Sequence, residues 1–86
     1  MNVENRIALI GIIVENPEIT ERLNQILHDC RQYIVGRMGI PYAKQNIGII
    51  SVVVDAPNTV ISALSGKLGL LEGVNVKTVY SKKRGE

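Results

Sequence analysis

The chain has 86 residues and a net charge of +2, so it is long enough for one domain and too weakly basic to predict a polyanionic partner. Hydrophobic residues make up 45% of it, without Phe or Trp, and we expect a core of Ile, Val and Leu. A single cysteine excludes an internal disulfide, and no apolar run predicts a signal peptide or a membrane span. We therefore expect one cytoplasmic domain over residues 1–86, with an ordered core at 5–80 and a basic tail at 81–86.

The first predicted element is an aliphatic strand, and its pattern returns forty positions later. Residues 7–17 read IALIGIIVENP, and residues 47–57 read IGIISVVVDAP. Each segment is a run rich in β-branched residues that ends in an acid, a small residue and a proline. The two halves of the chain are therefore predicted to share one order of elements, which is strand, helix and strand.

A helix is predicted at Pro17 and another at Pro57, because proline suits the first helical turn, where no backbone N–H is needed. Asn16 is a good N-cap for the first helix, and Gly69 is expected to end the second. Apolar residues recur at helical spacing in both. They are Ile19, Leu23, Ile26, Leu27 and Cys30 in the first helix, and Val60, Ile61, Leu64, Leu68 and Leu71 in the second.

The order βαββαβ predicts an α+β, ferredoxin-like fold, with a four-stranded antiparallel sheet and two helices on one face. The two aliphatic strands are expected at the centre of the sheet. The strands around 33–39 and 74–80 carry Arg37, Asn75 and Lys77, which is typical of edge strands that face solvent.

Two helices leave one face of the sheet uncovered, although both central strands are apolar on both faces. The uncovered face receives one of two alternating sets, because side chains alternate along a strand. These sets are Ile7, Leu9, Ile13, Ile47, Ile49 and Val53, or Ala8, Ile10, Ile12, Val14, Gly48, Ile50, Val52 and Val54. The terminal segments that could cover the face are polar. A large apolar patch is typical of an interaction surface, so we expect a homo-oligomer, a dimer or a tetramer, that associates through the sheet.

The chain resembles the regulator family of the iron-only hydrogenase system, which is related to ACT-type domains and to the regulatory domain of the nickel-responsive repressor. The segments that carry the resemblance are GRMGIPY at 36–42, NIGIISVVVDAP at 46–57, ISALSGKLG at 61–69 and GVNVKTVYSK at 73–82. The resemblance covers nearly the whole chain. It implies a ferredoxin-like fold, association through the sheets and a regulatory role in hydrogenase maturation or expression.

The resemblance also implies where a ligand would bind. ACT-type domains bind small molecules where the first strand meets its helix and at subunit contacts, which here indicates Gly11, Asn16 and Arg37 as ligand-binding residues. Unlike the nickel repressor, the sequence has no DNA-binding segment before the first strand and no cluster of histidines. We therefore expect any control of transcription to act through a partner and not through direct contact with nucleic acid.

Arg37 is interpreted in two ways, because it lies between Gly36 and Gly39. Glycines in a strand can let a ligand or a second backbone approach closely, and Arg37 would then hold a carboxylate or a phosphate. The same segment also fits a bulged, charged edge strand that prevents aggregation.

Two further groups of residues are candidates for sites of chemistry. His28 and Cys30 do not predict a metal site, because residues two apart on a helix point to roughly opposite sides. Glu15 and Asp55 end strands that we expect to be parallel neighbours, so their carboxylates should lie close together. They would either form a functional pair or simply place negative charge favourably at two helix N-termini.

The sequence gives no nucleophile–base pair, so we expect neither an enzyme nor a cofactor. The alternative is a small phosphate-ester or acylphosphate hydrolase on the same fold, although the VENPEI turn lacks the arginine and the glycines of such a site. An RNA-recognition domain would need aromatic residues on the central strands, which have none. The predicted function is that of a non-enzymatic regulatory module that binds a small effector or a partner protein. We do not expect it to bind a membrane.

Overall fold

The computed structural model describes residues 4–84, with side chains described as far as residue 82. The elements, in chain order, are β1 (Asn5–Val14), a 3₁₀ turn (Pro17–Ile19), α1 (Thr20–Asp29), a second 3₁₀ turn (Arg31–Tyr33), β2 (Ile34–Tyr42), β3 (Ile47–Pro57), α2 (Asn58–Gly69) and β4 (Val74–Arg84). The predicted βαββαβ order and the ferredoxin-like α+β fold are confirmed.

The four strands form one antiparallel sheet in the order β2-β3-β1-β4. The two aliphatic strands are central, as predicted, and β1 is paired with β3 along its whole length. Residues 81–84 of the predicted basic tail 81–86 belong to β4, and residues 85–86 lie outside the described residues.

Glu15 and Asp55 lie at opposite ends of the sheet. Asp55 is paired with Ile7 near the start of β1, whereas Glu15 follows Val14, the last residue of β1. The expectation that the two carboxylates meet is therefore wrong, because β1 and β3 are antiparallel and not parallel. Within the first half, α1 connects two strands that run in the same direction. The hairpin between β2 and β3 then reverses the chain, so the strands of the second half run opposite to those of the first.

The two prolines precede helices at slightly different positions. Pro17 is the first residue of the 3₁₀ turn that leads into α1, and the Asn16 side chain caps that turn. Pro57 is the last residue of β3 and directly precedes α2. The repeat of the sequence is thus a repeat of element order, with β3 extended further than β1 before its helix begins.

The core lies between the two helices and the inner face of the sheet, and it is entirely aliphatic. Its buried members are Ala8, Ile10, Ile12, Val14, Leu23, Ile26, Leu27, Val52, Val54, Ala56, Ile61, Leu64, Leu68 and Val74. Both predicted helix stripes supply their central residues to it. Cys30, which the stripe also places in the core, is only half-buried at its margin. Burying a side chain of this size contributes about 1.5–3 kcal/mol, which is what holds the helices to the sheet.

The opposite face of the sheet, called the outer face below, is not covered by any element among residues 4–84. Of the two alternating sets, the even-numbered one points to the helices, and Ile7, Leu9 and Ile13 point outward with 36–44% of their surface exposed. Antiparallel partners share a face, so the register with β1 and β3 gives the other members. These are Gly11, Met38, Ile40, Tyr42, Ile47, Ile49, Ser51, Val53, Asp55, Asn75, Lys77 and Val79.

Candidate functional site

An open cleft of about 590 Å³ separates α1 from the edge strand β2. Its rim is polar and comprises Glu21, Asn24, Gln25, His28, Arg31 and Arg37. Its floor contains Leu27, which is fully buried, and Ile34, which packs against the core. A concave surface with an apolar floor and a few polar groups at the rim is the usual form of a small-molecule site.

The polar rim follows from the spacing of residues along α1. Glu21, Asn24, His28 and Arg31 are three or four positions apart, so they lie in a row along the helix and the turn that follows it. This row is next to the buried stripe and overhangs β2.

Arg37 points into the cleft because of a bulge in β2. From Ile34, which faces the helices, simple alternation would turn Arg37 to the outer face. The register shifts by one residue between Ile34 and Gly36, and Arg37 is therefore paired with the inward-facing Val52. Bulges re-aim side chains in this way. The interpretation of this segment as a bulged edge strand agrees with the register, and the bulge is also what brings Arg37 to the cleft.

Both arginines of the cleft are held by neutral groups. Arg37 Nη2 donates a hydrogen bond to Asn24 Oδ1 at 3.1 Å, which connects β2 with α1. Arg31 Nη1 donates to the His28 carbonyl at 3.0 Å, at the C-terminal end of α1. A guanidinium has five N–H donors, so each side chain keeps most of its donors available for a ligand, and neither partner carries a full negative charge.

Asn16, the second predicted ligand-binding residue, is engaged in local structure. Its Oδ1 accepts a hydrogen bond from the Glu18 N–H at 3.1 Å, and its backbone lies against Gly73 in the loop before β4. The neighbouring Glu15 N–H donates to the Gly73 carbonyl at 2.7 Å. Asn16 is not part of the lining of the cleft beside Arg37.

Gly11, the third predicted residue, lies at the centre of the outer face, between Ser51 on β3 and Lys77 on β4. A Cβ at this position would be 3.8 Å from the Lys77 carbonyl oxygen, which is an ordinary contact. The fold of the single chain does not require glycine here. Because Gly11 and Arg37 are on opposite faces of the sheet, the structure does not bring the three predicted residues into one pocket.

A second, smaller hollow of about 250 Å³ lies where β1 meets its helix. It is lined mainly by apolar groups, among them Val14, Pro17, Tyr42 and Ile47. This is the position that the ACT-type resemblance indicates for a ligand, but neither Gly11 nor Asn16 is among its lining residues.

The remaining candidate residues are separate from one another. Within the described part of the chain, no three His, Cys, Asp or Glu side chains come together as a possible metal site. His28 is exposed at the cleft, whereas Cys30 is free and packs at the margin of the core. Glu15 accepts a hydrogen bond from Asn75 at 3.0 Å. Asp55 Oδ1 is buried without a hydrogen-bond partner among residues 4–84.

Sequence reasoning selected Arg37 but missed the two residues that define the cleft with it, Asn24 and Arg31. Their spacing relative to His28 was a usable signal, because it places them on the same side of α1. What the sequence does not reveal is that this side of α1 faces Arg37, since that depends on the bulge in β2.

A family model described as "Iron-only hydrogenase system regulator, putative" (TM1266-like) matches residues 6–78. The chain belongs to this family. Membership agrees with the resemblance carried by the GRMGIPY and IISVVVDAP segments, and the family's description names a regulator of the iron-only hydrogenase system.

Solved structures agree with the assignment. The uncharacterized protein TM1266 from Thermotoga maritima is 39% identical, with a TM-score of 0.88, and the match covers 92% of this chain and all of that one. The C-terminal domain of the MgtC protein from Mycobacterium tuberculosis is 13% identical, with a TM-score of 0.67, over 95% of this chain and 94% of the other, and shares the fold alone. No curated protein matches the sequence. Among residues 4–84, no helix is long and apolar enough to cross a membrane.

Proposed function

We propose that the protein is a non-enzymatic regulatory module of an iron-only hydrogenase system, which works as a homo-oligomer and binds a small effector or a partner protein. The family assignment supports the regulatory part of this proposal. The observation that carries the rest is the outer face of the sheet, whose exposed side chains are mainly apolar and which no element among residues 4–84 covers.

The outer face is organised as two apolar rows that run across the strands. One row contains Val53, Leu9 and Val79, and the other contains Ile40, Ile49 and Ile13. Val79 is 64% exposed and Ile40 is 49% exposed. Burying a fully exposed side chain of this kind is worth about 1.5–3 kcal/mol, and each of these residues would gain the part of that value that corresponds to the surface it still exposes. Summed over the two rows, this gain is a substantial fraction of the stability of a chain of this size. A second copy offers a matching surface.

A further feature of the outer face supports a subunit contact there. Between the apolar rows lie Ser51 and Gly11, so a facing surface can approach closely at the centre.

A hydrolase on the same fold receives no support from the site. Such an enzyme needs a phosphate-binding loop, and at the turn after β1 the Asn16 side chain is already occupied by capping Glu18. His28 is exposed on α1, while Cys30 packs against the core, so they do not form a nucleophile–base pair.

Light scattering at micromolar concentration tests the proposed association. Leu9→Glu places a charge on the outer face, and Leu70→Glu places the same charge at a residue that is 87% exposed outside this face. We expect the wild type and Leu70→Glu to form oligomers and Leu9→Glu to be monomeric. A monomeric wild type, or a Leu9→Glu variant that assembles normally, would contradict the proposal.

A thermal-shift screen of amino acids, nucleotides and metal ions then tests effector binding, because a ligand of the folded state raises the Tm.

A further inference from the structure

The cleft between α1 and β2 carries an inference about the chemical class of the effector. We propose that it binds an oxyanion, the carboxylate or phosphate group of a small organic molecule, between Arg31 and Arg37. This inference rests on the regulatory function proposed above and specifies the ligand and the position of its site.

The charge of the rim favours an anion. Arg31 and Arg37 contribute two positive charges, and Glu21 contributes one negative charge. The net charge is therefore positive even when His28 is neutral. The partners of the arginines in the folded chain are an amide oxygen and a backbone carbonyl, neither of which neutralises a guanidinium. A ligand with one or two negative charges would do so.

The donors that line the cleft are of the kind that binds a planar or tetrahedral group of oxygens. Guanidinium groups bind carboxylate and phosphate through two parallel N–H···O hydrogen bonds, which makes arginine well suited to this recognition. Asn24 accepts the hydrogen bond from Arg37 with Oδ1, so its own NH₂ group is available to donate to the same ligand. Asn24 thus holds Arg37 in place and adds a donor.

The floor of the cleft favours an organic anion over a bare inorganic one. Half-buried Ile34 presents apolar surface beneath the charged rim, above the fully buried Leu27, and a volume of about 590 Å³ is within the range of small-molecule pockets. The carbon skeleton of an organic acid or a phosphate ester would cover this surface, while its anionic group binds the arginines.

The C-terminal end of α1 opposes an anion, because carbonyl groups at a helix C-terminus carry partial negative charge. Arg31 offsets this effect locally, since it donates to the His28 carbonyl at that end. The bulge of β2 supplies the second cation by turning Arg37 toward the helix. Two local features therefore cooperate to make the cleft positive.

Isothermal titration calorimetry of the full chain with inorganic phosphate and with citrate tests the proposal, with chloride at matched ionic strength as the control. The test variants are Arg37→Gln and Arg31→Gln. Arg22→Gln removes the same charge from α1, but Arg22 lines a different hollow, beside Ile26 and Lys67. It is therefore a matched control for the general effect of charge.

We expect saturable binding of at least one of the two anions, weakened about tenfold or more by Arg37→Gln and by Arg31→Gln, and less than about twofold by Arg22→Gln. Binding of phosphate alone would assign the site to phosphate compounds, and binding of citrate alone would assign it to carboxylates. Arg37→Lys keeps the charge but loses the paired donors, and it should weaken binding by an intermediate amount.

Three results would overturn the proposal: no saturable binding of either anion, binding that persists in both arginine variants, or equal weakening by Arg22→Gln. The Tm of each variant without ligand shows whether it is folded. Light scattering separates this inference from the proposed function. If neither anion binds while the wild type assembles and another compound class raises its Tm, the oxyanion site is rejected and the regulatory module stands.

Discussion

Asn16 and Gly73 pack so closely that a Cβ added to Gly73 would be 2.7 Å from the Cβ of Asn16. Gly73 also has a φ of +75°, a left-handed conformation that side chains other than glycine rarely adopt. The adjacent Glu15 N–H donates to the Gly73 carbonyl. This contact fixes the end of β1 against the start of β4 and explains why Asn16 serves the fold.

Replacing Gly73 should therefore destabilise the protein strongly. Gly73→Ala combines backbone strain with a clash against the Asn16 Cβ and a tight contact with the Asn16 backbone nitrogen, and we expect it to lower the free energy of unfolding by about 2 kcal/mol or more. Gly66→Ala is the matched control, because Gly66 lies inside α2 with open space around its Cβ position. It should raise stability by about 0.5–1 kcal/mol. Urea unfolding of both variants checks the opposite signs, and equal effects would contradict the role of Gly73.

Asn16 should behave as a helix cap and not as a ligand-binding residue of the cleft. Asn16→Ala is expected to lower the free energy of unfolding by about 0.5–2 kcal/mol, because the Glu18 N–H loses its acceptor. Asn16→Asp, which keeps an acceptor, should retain most of that stability. Calorimetric titration of Asn16→Asp with phosphate and citrate should give wild-type affinity. A tenfold loss in this variant would instead place Asn16 in a binding site.

The fold could be predicted from the sequence because each element carries its own local signal. Three local signals specify structure within a few residues: the β-branched runs at 7–14 and 47–54, the helical stripes around Leu23 and Leu64, and Gly69 at a helix end. The direction of β3 relative to β1 is a property of the whole chain, and this is where the expectation about Glu15 and Asp55 was wrong. The extension of β4 beyond residue 80 was also not predicted. The basic composition of this segment gives no sign that it pairs with β1.

The candidate site could be predicted only in part. Arg37 is recognisable as a charged residue between glycines, but its orientation depends on the one-residue register shift between Ile34 and Gly36. A shift of this kind reverses the face of every later residue in a strand. Asn24 and Arg31 therefore had no identifiable partner at the level of the sequence.

Cys30 should make only a modest contribution to stability, because it is half-buried at the margin of the core. We expect Cys30→Ala to lower the free energy of unfolding by about 1 kcal/mol or less. Leu27→Ala, three residues earlier and with no exposed surface, should lower it by about 2–5 kcal/mol. Urea unfolding compares the two variants, and metal analysis of purified protein accompanies it. Stoichiometric nickel, zinc or iron that disappears in Cys30→Ala would contradict a purely structural role for the thiol.

Arg37 and Arg6 should differ in what they contribute to folding. Arg6 is half-buried, stacks on the Tyr80 ring at 4.6 Å from the guanidinium carbon, and donates to the Ser81 carbonyl at 3.3 Å. A cation–π contact and a hydrogen bond of this kind together are worth about 1–2 kcal/mol, which Arg6→Gln should remove.

Arg37→Gln, in contrast, should change the free energy of unfolding by less than about 0.5 kcal/mol, because the hydrogen bond to Asn24 is exposed and competes with water. Urea unfolding of both variants without ligand makes the comparison. If Arg37→Gln costs as much stability as Arg6→Gln, then Arg37 is mainly a structural connection between β2 and α1. If Arg37→Gln costs little stability but abolishes binding of phosphate or citrate, then the main role of Arg37 is to bind that ligand.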